Sequence, residues 1–306
     1  MRNRAGFWAI IALSAYVTLC SVAGIFVAEI AYHPQRRPVP TEDVSIQRAG
    51  LSFSDNFKNV AISTSDGVIL RAWLIRPNQL NGDAVILLHG LSDNRLGMSG
   101  YARLLLARGY TVLMPDARAH GSSDGSLATY GLLERYDIHD WVEWIELGER
   151  PKCIFGLGES MGAAQLLQAL AVEHRFCAVA AESPFSNFRE IAYDRVGQFL
   201  HTGPWVGRTI FRPLVEVAFL YGRWKYAFDL EQALPEQAIE NTRTPILLIH
   251  GKDDSNIPVR HSERIQAHNR QIVLWEVENT DHCGAISTHP QEFSQRLLAW
   301  FDSHRS

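Results

Sequence analysis

The chain has 306 residues, of which 46% are hydrophobic, 20% charged and 10% aromatic, and its formal net charge is −4. This composition excludes a disordered, collagen-like or coiled-coil protein, and the slightly acidic balance gives no indication of nucleic-acid binding. With only 4 cysteines, the fold is not one that depends mainly on disulfides.

The amino-terminal segment is strongly apolar. Ala5 to Ala28 carry no charge, and as a helix they are long enough to cross a hydrocarbon core about 30 Å thick. We therefore predict that residues 1–32 are a transmembrane signal-anchor, with a cleaved signal peptide as the alternative. Arg2 and Arg4 precede the segment, which favours a cytoplasmic amino terminus and a body outside the cytoplasm, in the periplasm.

A linker rich in proline and arginine is predicted at 33–56, and a regular body follows it. Short strands alternate there with helical patterns, which predicts an α/β fold: a mostly parallel sheet with helices on both faces. The predicted strands are Asn59–Ser63, Val68–Ile75, Ala84–Leu88, Thr111–Met114, Lys152–Leu157, Cys177–Ala181, Pro245–Ile249 and Ile272–Trp275. The predicted helices are Tyr101–Arg108, Leu132–Leu147, Met161–Val172, Val259–His268 and Phe293–Phe301.

One stretch, residues 186–241, interrupts this alternation. It lies between two predicted strands, is rich in aromatic residues, and is far longer than an ordinary crossover. We predict a small helical lid inserted within one domain of residues 57–306. Its aromatic residues favour an apolar acyl or aromatic substrate, or they form the core of the lid itself.

A G-x-S-x-G motif at 158–162 stands between a predicted strand and a predicted helix. In that context a sharp strand-to-helix turn presents the serine, and small residues two positions to either side let strand and helix pass closely. The motif predicts Ser160 as a nucleophile.

A nucleophilic serine needs a base, and the base needs a carboxylate that orients it. His282 and Asp254 follow later strands, at the sheet edge where ligands bind in open α/β sheets. We predict that His282 takes the proton of Ser160 and that Asp254 holds the tautomer of His282. The neighbouring Asp253 is the alternative acid, and His250 is interpreted as a structural histidine.

An oxyanion hole requires two backbone N–H groups near the nucleophile. Met161, directly after the serine, is the first candidate. Leu91 is the second, because it follows His89-Gly90 after a predicted strand and glycine allows a close backbone approach.

Taken together, these motifs resemble the α/β-hydrolase superfamily over residues 57–303. The resemblance rests on L-L-H-G at 87–90, M-P-D-A-R-A-H-G-S-S-D-G at 114–125, G-E-S-M-G at 158–162, E-S-P-F at 182–185, I-H-G-K-D-D-S-N-I-P at 249–258 and D-H at 281–282. Within the superfamily, the chain is most similar to small membrane-anchored bacterial serine hydrolases of the prolyl-oligopeptidase-like or serine-aminopeptidase-like branch. The resemblance implies an α/β-hydrolase fold, a triad of Ser160, Asp254 and His282, and no metal or organic cofactor.

Three functions follow as hypotheses. The resemblance implies hydrolysis of carboxylic esters or thioesters, with a small-molecule or lipid ester as substrate at a membrane surface. The second hypothesis is a serine peptidase of the same fold. The third is a non-catalytic binding module, since a fold alone does not establish an activity.

The cysteines allow one bridge. Cys153 and Cys177 begin strands that are expected to be parallel neighbours, and the spacing of neighbouring strands is within the reach of a disulfide. Because such bridges often strain the ladder, we expect two buried free thiols, with the bridge as the alternative. Cys283 and Cys20 are expected to be free.

Overall fold

The computed structural model describes residues 2–40 and 57–305, so the predicted linker at 33–56 lies largely outside the described residues. The strands are β1 Phe57–Ser63, β2 Ile69–Ile75, β3 Ala84–Leu88, β4 Thr111–Pro115, β5 Ile154–Glu159, β6 Phe176–Glu182, β7 Ile246–Gly251 and β8 Val273–Val277. The helices are α1 Arg2–Tyr32, α2 Ser99–Leu106, α3 Glu134–Glu149, α4 Met161–Ala169, α5 Phe188–Phe199, α6 Trp205–Arg208, α7 Arg212–Tyr226, α8 Pro235–Ala238, α9 Arg260–His268, α10 Ala285–Thr288 and α11 Pro290–Asp302.

The chain divides into two compact units. The sheet unit consists of Pro34–Asn187 and Ala233–Ser306, and the helical unit consists of Met1–His33 and Phe188–Gln232. The first thirty residues therefore fold with the inserted segment, an association that neither segment's sequence indicated.

The sheet unit contains one sheet in the order β1-β2-β4-β3-β5-β6-β7-β8. β2 pairs antiparallel with both β1 and β4, and the pairs from β4 through to β8 are parallel. Each predicted strand and helix of this unit is present, with ends shifted by a few residues. The predicted α/β architecture is thus confirmed.

Apolar residues on both faces of the sheet explain why helices cover both. Along β3, Ile86 and Leu88 belong to one buried cluster, and Val85 and Leu87 belong to the other. Side chains alternate across a strand, so a continuous apolar run presents one apolar surface to each face. Helices α3 and α4 contribute to the first cluster, and α2 and α11 to the second.

Cys153 and Cys177 form a disulfide, with 5.7 Å between their Cα atoms. The expectation of two free thiols is therefore wrong. The two strands are parallel neighbours as predicted, and the register shifts at Ile154 and Phe155, next to the bridge. We expected free thiols because a bridge would strain a regular strand ladder. The ladder is irregular beside the bridge, so that reason does not apply here. Cys20 and Cys283 are free, as expected.

In the helical unit, α1 packs along α7. One residue per turn of α1 is buried, at Cys20, Gly24, Ala28 and Tyr32. Small residues at four-residue spacing let two helix backbones approach closely, and a Cβ on Gly24 would lie 3.0 Å from Cβ of Val217. Helix α1 is also long and apolar enough to cross a membrane from Arg4 to Tyr32, a property that it shares with signal sequences.

Candidate active site

Ser160 stands on the sharp turn between β5 and α4. Its backbone has φ 51° and ψ −115°, a region that costs a non-glycine residue free energy and often marks a functional position. A Cβ on Gly158 would lie 2.6 Å from the carbonyl carbon of Gly162. Gly158 is therefore required because strand and helix meet there, as predicted, whereas a Cβ on Gly162 would lie 2.6 Å from the carbonyl oxygen of His89, just after β3.

The structure brings the three predicted residues of the triad together. Oγ of Ser160 lies 2.9 Å from Nε2 of His282, and Nδ1 of His282 lies 2.8 Å from Oδ2 of Asp254. Ser160 and His282 are partly exposed, whereas Asp254 is buried. The hydroxyl can thus donate to Nε2 while Nδ1–H donates to the carboxylate, an arrangement suited to removing the proton of the serine.

Backbone and side-chain donors fix the carboxylate of Asp254. Oδ1 accepts hydrogen bonds from the amides of Asn256 and Ile257, and Nε2 of His250 lies 3.3 Å from Oδ2. Burial alone would raise the pKa of Asp254, but hydrogen bonds from His250 and His282 outweigh burial and hold that pKa below its usual range. Asp254 is therefore ionised near neutral pH.

His250 has a more specific place than the sequence indicated. It is fully buried, its Nδ1 lies 2.7 Å from Oγ of Ser262, and its Nε2 lies 2.7 Å from the carbonyl of Ile257. Because Nε2 must donate to that carbonyl, Nδ1 accepts from the serine hydroxyl. The buried ring therefore holds the loop that carries Asp254. Asp253, the alternative acid, is exposed.

The loop after β3 passes close to Ser160. A Cβ on Gly90 would lie 3.5 Å from Cβ of Ser160. Nδ1 of His89 lies 2.8 Å from the carbonyl oxygen of Gly90, and Nε2 of His89 accepts from the amide of Ala117. In a planar trans peptide the N–H points opposite to the C=O, so the Leu91 amide points away from His89.

A group that the sequence analysis missed lies close to Ser160. The hydroxyl of Tyr101 lies 2.8 Å from Oε2 of Glu182 and 3.4 Å from Oε2 of Glu159, while Oε1 of Glu182 accepts from the amide of Ala285. Burial raises the pKa of Glu182, and burial together with the charge of Glu182 raises the pKa of Glu159 to about 8. Glu159 therefore holds a proton near neutral pH.

The motifs G-E-S-M-G and E-S-P-F already contained both of these glutamates. Their positions at the ends of β5 and β6, which are neighbouring parallel strands, were the available signal. Among the residues that the structure describes, no group of three or more His, Cys, Asp or Glu side chains is arranged to hold a metal ion.

Comparison with known proteins agrees with this architecture. The sequence profile described as the alpha/beta hydrolase family matches residues 85–296. The chain is 25% identical to the uncharacterised protein YqkD of Bacillus subtilis, over 96% of this chain and 97% of that protein. It is 22% identical to the uncharacterised peptidase YuxL of the same organism, over 81% of this chain and 39% of that protein.

Two solved structures share the fold. The esterase Pf2001 of Pyrococcus furiosus superimposes with a TM-score of 0.70 at 24% identity, over 90% of this chain and all of that one. The acylaminoacyl peptidase of Pyrococcus horikoshii superimposes with a TM-score of 0.60 at 17% identity, over 82% of this chain and 42% of that one.

Proposed function

Because the chain belongs to the alpha/beta hydrolase family, we propose that it is a serine hydrolase that cleaves carboxylic esters or thioesters through an acyl-enzyme. The observation that carries the proposal is the continuous set of hydrogen bonds from Ser160 through His282 to Asp254. A buried, ionised carboxylate, an imidazole and an accessible hydroxyl in that order are the groups needed to activate a serine.

The proposed reaction has two halves. Oγ of Ser160 attacks the acyl carbon while Nε2 of His282 takes the hydroxyl proton, and Asp254 stabilises the imidazolium that forms. The imidazolium then protonates the leaving alcohol or thiol, which leaves the acyl group on Oγ. Water, deprotonated by the same nitrogen, attacks the acyl carbon and releases the carboxylic acid and the free serine.

The amides of Met161 and Leu91 are the proposed oxyanion donors. Met161 begins helix α4, where the first N–H groups have no partner within the helix and can stabilise an anion. The Leu91 amide points away from His89 because that ring lies 2.8 Å from the Gly90 carbonyl. Each such donor contributes about 10²- to 10³-fold to the rate in enzymes of this type.

We also propose that the enzyme works at a membrane surface, with α1 as its anchor, its amino terminus in the cytoplasm and the sheet unit in the periplasm. The charge-free stretch of α1 from Ala5 to Ala28 supports an anchor, and the disulfide between Cys153 and Cys177 supports an oxidising compartment. Small-molecule or lipid esters are the proposed substrates.

Peptide hydrolysis is the second candidate. The observation in its favour is the similarity to the peptidase YuxL and the fold shared with an acylaminoacyl peptidase. Both reactions use the same acyl-enzyme chemistry, so the site geometry alone does not separate them.

The test is a substrate panel on the full chain in detergent: p-nitrophenyl esters of increasing acyl length, acyl thioesters, and peptide p-nitroanilides. We expect ester or thioester turnover that Ser160→Ala abolishes. Turnover of the anilides alone would favour the peptidase, and equal turnover by the Ser160→Ala variant would overturn the mechanism. A folded chain without turnover of any class would favour the binding module.

A further inference from the structure

Helices α1 and α7 run parallel, in a register that several contacts fix. The hydroxyl of Tyr16 donates to the carbonyl of Ile210, and Glu29 lies 2.6 Å from Nζ of Lys225. The amino-terminal to carboxyl-terminal direction is therefore the same in both helices. The position of a residue of α7 along the helix axis can thus be read from the residue of α1 that it contacts.

That register sets a depth for the insertion if α1 crosses a bilayer. Tyr16 is 12 residues beyond Arg4, or about 18 Å along the helix, whereas the hydrocarbon core is about 30 Å thick. With Arg4 at one interface and the helix normal to the bilayer, Tyr16 lies within hydrocarbon. Glu29 lies about 38 Å from Arg4, beyond the far boundary, where an ion pair with Lys225 is in its usual environment.

The part of the insertion beside Tyr16 is apolar and exposed. The segment from the end of α5 to the start of α7, residues 199–211, includes α6, and in it the amide of Thr202 donates to the carbonyl of Gly197 and that of Phe211 to the carbonyl of Val206. This segment, which we call the insertion tip, exposes four large apolar side chains: Phe199 (84%), Leu200 (37%), Trp205 (58%) and Ile210 (49%). Large apolar residues grouped at the surface indicate an interaction site.

The charged side chains within and next to the insertion tip are paired. Arg208, within the tip, pairs with Glu190 of α5, and Arg212, which follows the tip, pairs with Glu216 at 3.2 Å. Arg212 follows Ile210 by two residues, so it lies a short distance toward the boundary, where arginine side chains extend to the headgroups.

From these contacts we propose that the insertion tip enters the hydrocarbon of a phospholipid bilayer beside α1. The bilayer is the occupant because the tip and the charge-free face of α1 form one continuous apolar surface through the Tyr16–Ile210 contact. The proposal rests on the membrane location proposed above, and it adds that the insertion itself contacts lipid. Two elements, α1 and the insertion tip, would then hold the helical unit in the membrane.

The experiment places an environment-sensitive fluorophore on the full chain reconstituted in phosphatidylcholine vesicles. Ile210→Cys carries the label at the tip, and Leu147→Cys, which replaces an exposed leucine of α3 in the sheet unit, is the matched control. The parent chain, with free Cys20 and Cys283, is labelled in parallel as the blank. Vesicles made with brominated acyl chains then quench only a label that contacts the lipid interior.

We expect the label at position 210 to emit at shorter wavelength and to lose most of its emission in brominated vesicles, with little loss at position 147. A blue-shifted but unquenched label at 210 would overturn the inference, because protein rather than lipid would then cover the tip. Equal behaviour at both positions, or failure of the chain to float with the vesicles, would also overturn it. Ester hydrolysis is measured separately, so its loss or retention does not affect this result.

Discussion

The hydroxyl of Tyr101 lies 2.8 Å from a carboxylate oxygen of Glu182, behind the strand end that carries Ser160. The carbonyl of Glu182 also accepts from the amide of Ser160, at 2.8 Å. A fully buried carboxyl group is thus joined to the nucleophile through its own backbone. With Glu159 beside it, the site contains two carboxyl groups whose protonation depends on the fold.

Stability should therefore depend on pH through Glu159. Its pKa is about 8 in the fold, against an ordinary value of 4.5. The folded chain keeps a proton that the unfolded chain loses, so the free energy of unfolding falls as pH rises from about 5 to about 8. One such proton corresponds to a slope of at most about 1.4 kcal/mol per pH unit.

Glu159→Gln should flatten this fall, as measured by urea unfolding at several pH values in that interval. Glu143→Gln, at an exposed position of α3, is the control and should leave the slope unchanged. Parallel slopes for the parent and Glu159→Gln would show that Glu159 titrates as an ordinary carboxyl group.

The acid of the triad can be assigned with two neighbouring substitutions. Asp254 is buried against His282, whereas Asp253 is exposed. Asp254→Asn should lower kcat by about 10⁴-fold, because the amide no longer holds the productive tautomer. Asp253→Asn should leave kcat within a factor of about two, since surface substitutions seldom change a site. The reverse order of effects would assign the acid to Asp253.

The disulfide determines how many thiols should react before and after reduction. The denatured, unreduced chain should show two reactive thiols, Cys20 and Cys283, and four after reduction. Replacing both Cys153 and Cys177 by serine should cost about 3 kcal/mol of unfolding free energy for a sequence separation of 24. Four thiols before reduction would contradict the bridge.

The packing of α1 on α7 predicts that substitutions at two glycines of α1 have different effects. A side chain at Gly24 would collide with α7, whereas nothing lies within 4 Å of a Cβ at Gly6. Gly24→Leu should speed hydrogen exchange of the amides in Arg212–Tyr226, and Gly6→Leu should not. The same exchange rates in both variants would mean that α1 does not pack on α7.

The sequence predicted the sheet well, and it singled out the three residues of the proposed triad, because both depend on local signals. The apolar runs of β3 and β7, and the glycines around Ser160, specify strands and a turn without knowledge of distant contacts. Asp254 and His282 could then be placed by strand order alone.

The remaining features depend on contacts between distant segments, which periodicity does not record. The packing of Gly24 on Val217 joins segments nearly two hundred residues apart. The hydrogen bonds from the Tyr101 hydroxyl to Glu159 and Glu182 require three separate elements to meet. The bridge between Cys153 and Cys177 depends on a local irregularity in the strand register.

The most direct test of the central claim is the site at which a fluorophosphonate probe reacts with the full chain. The probe phosphonylates only a serine whose proton a neighbouring base removes, so the geometry at Ser160 predicts one adduct on the peptide that contains it. The adduct should disappear in Ser160→Ala and fall sharply in His282→Ala, with Asp253→Asn labelled like the parent. A folded chain that gains no adduct, or carries it on another residue, would contradict the proposed mechanism.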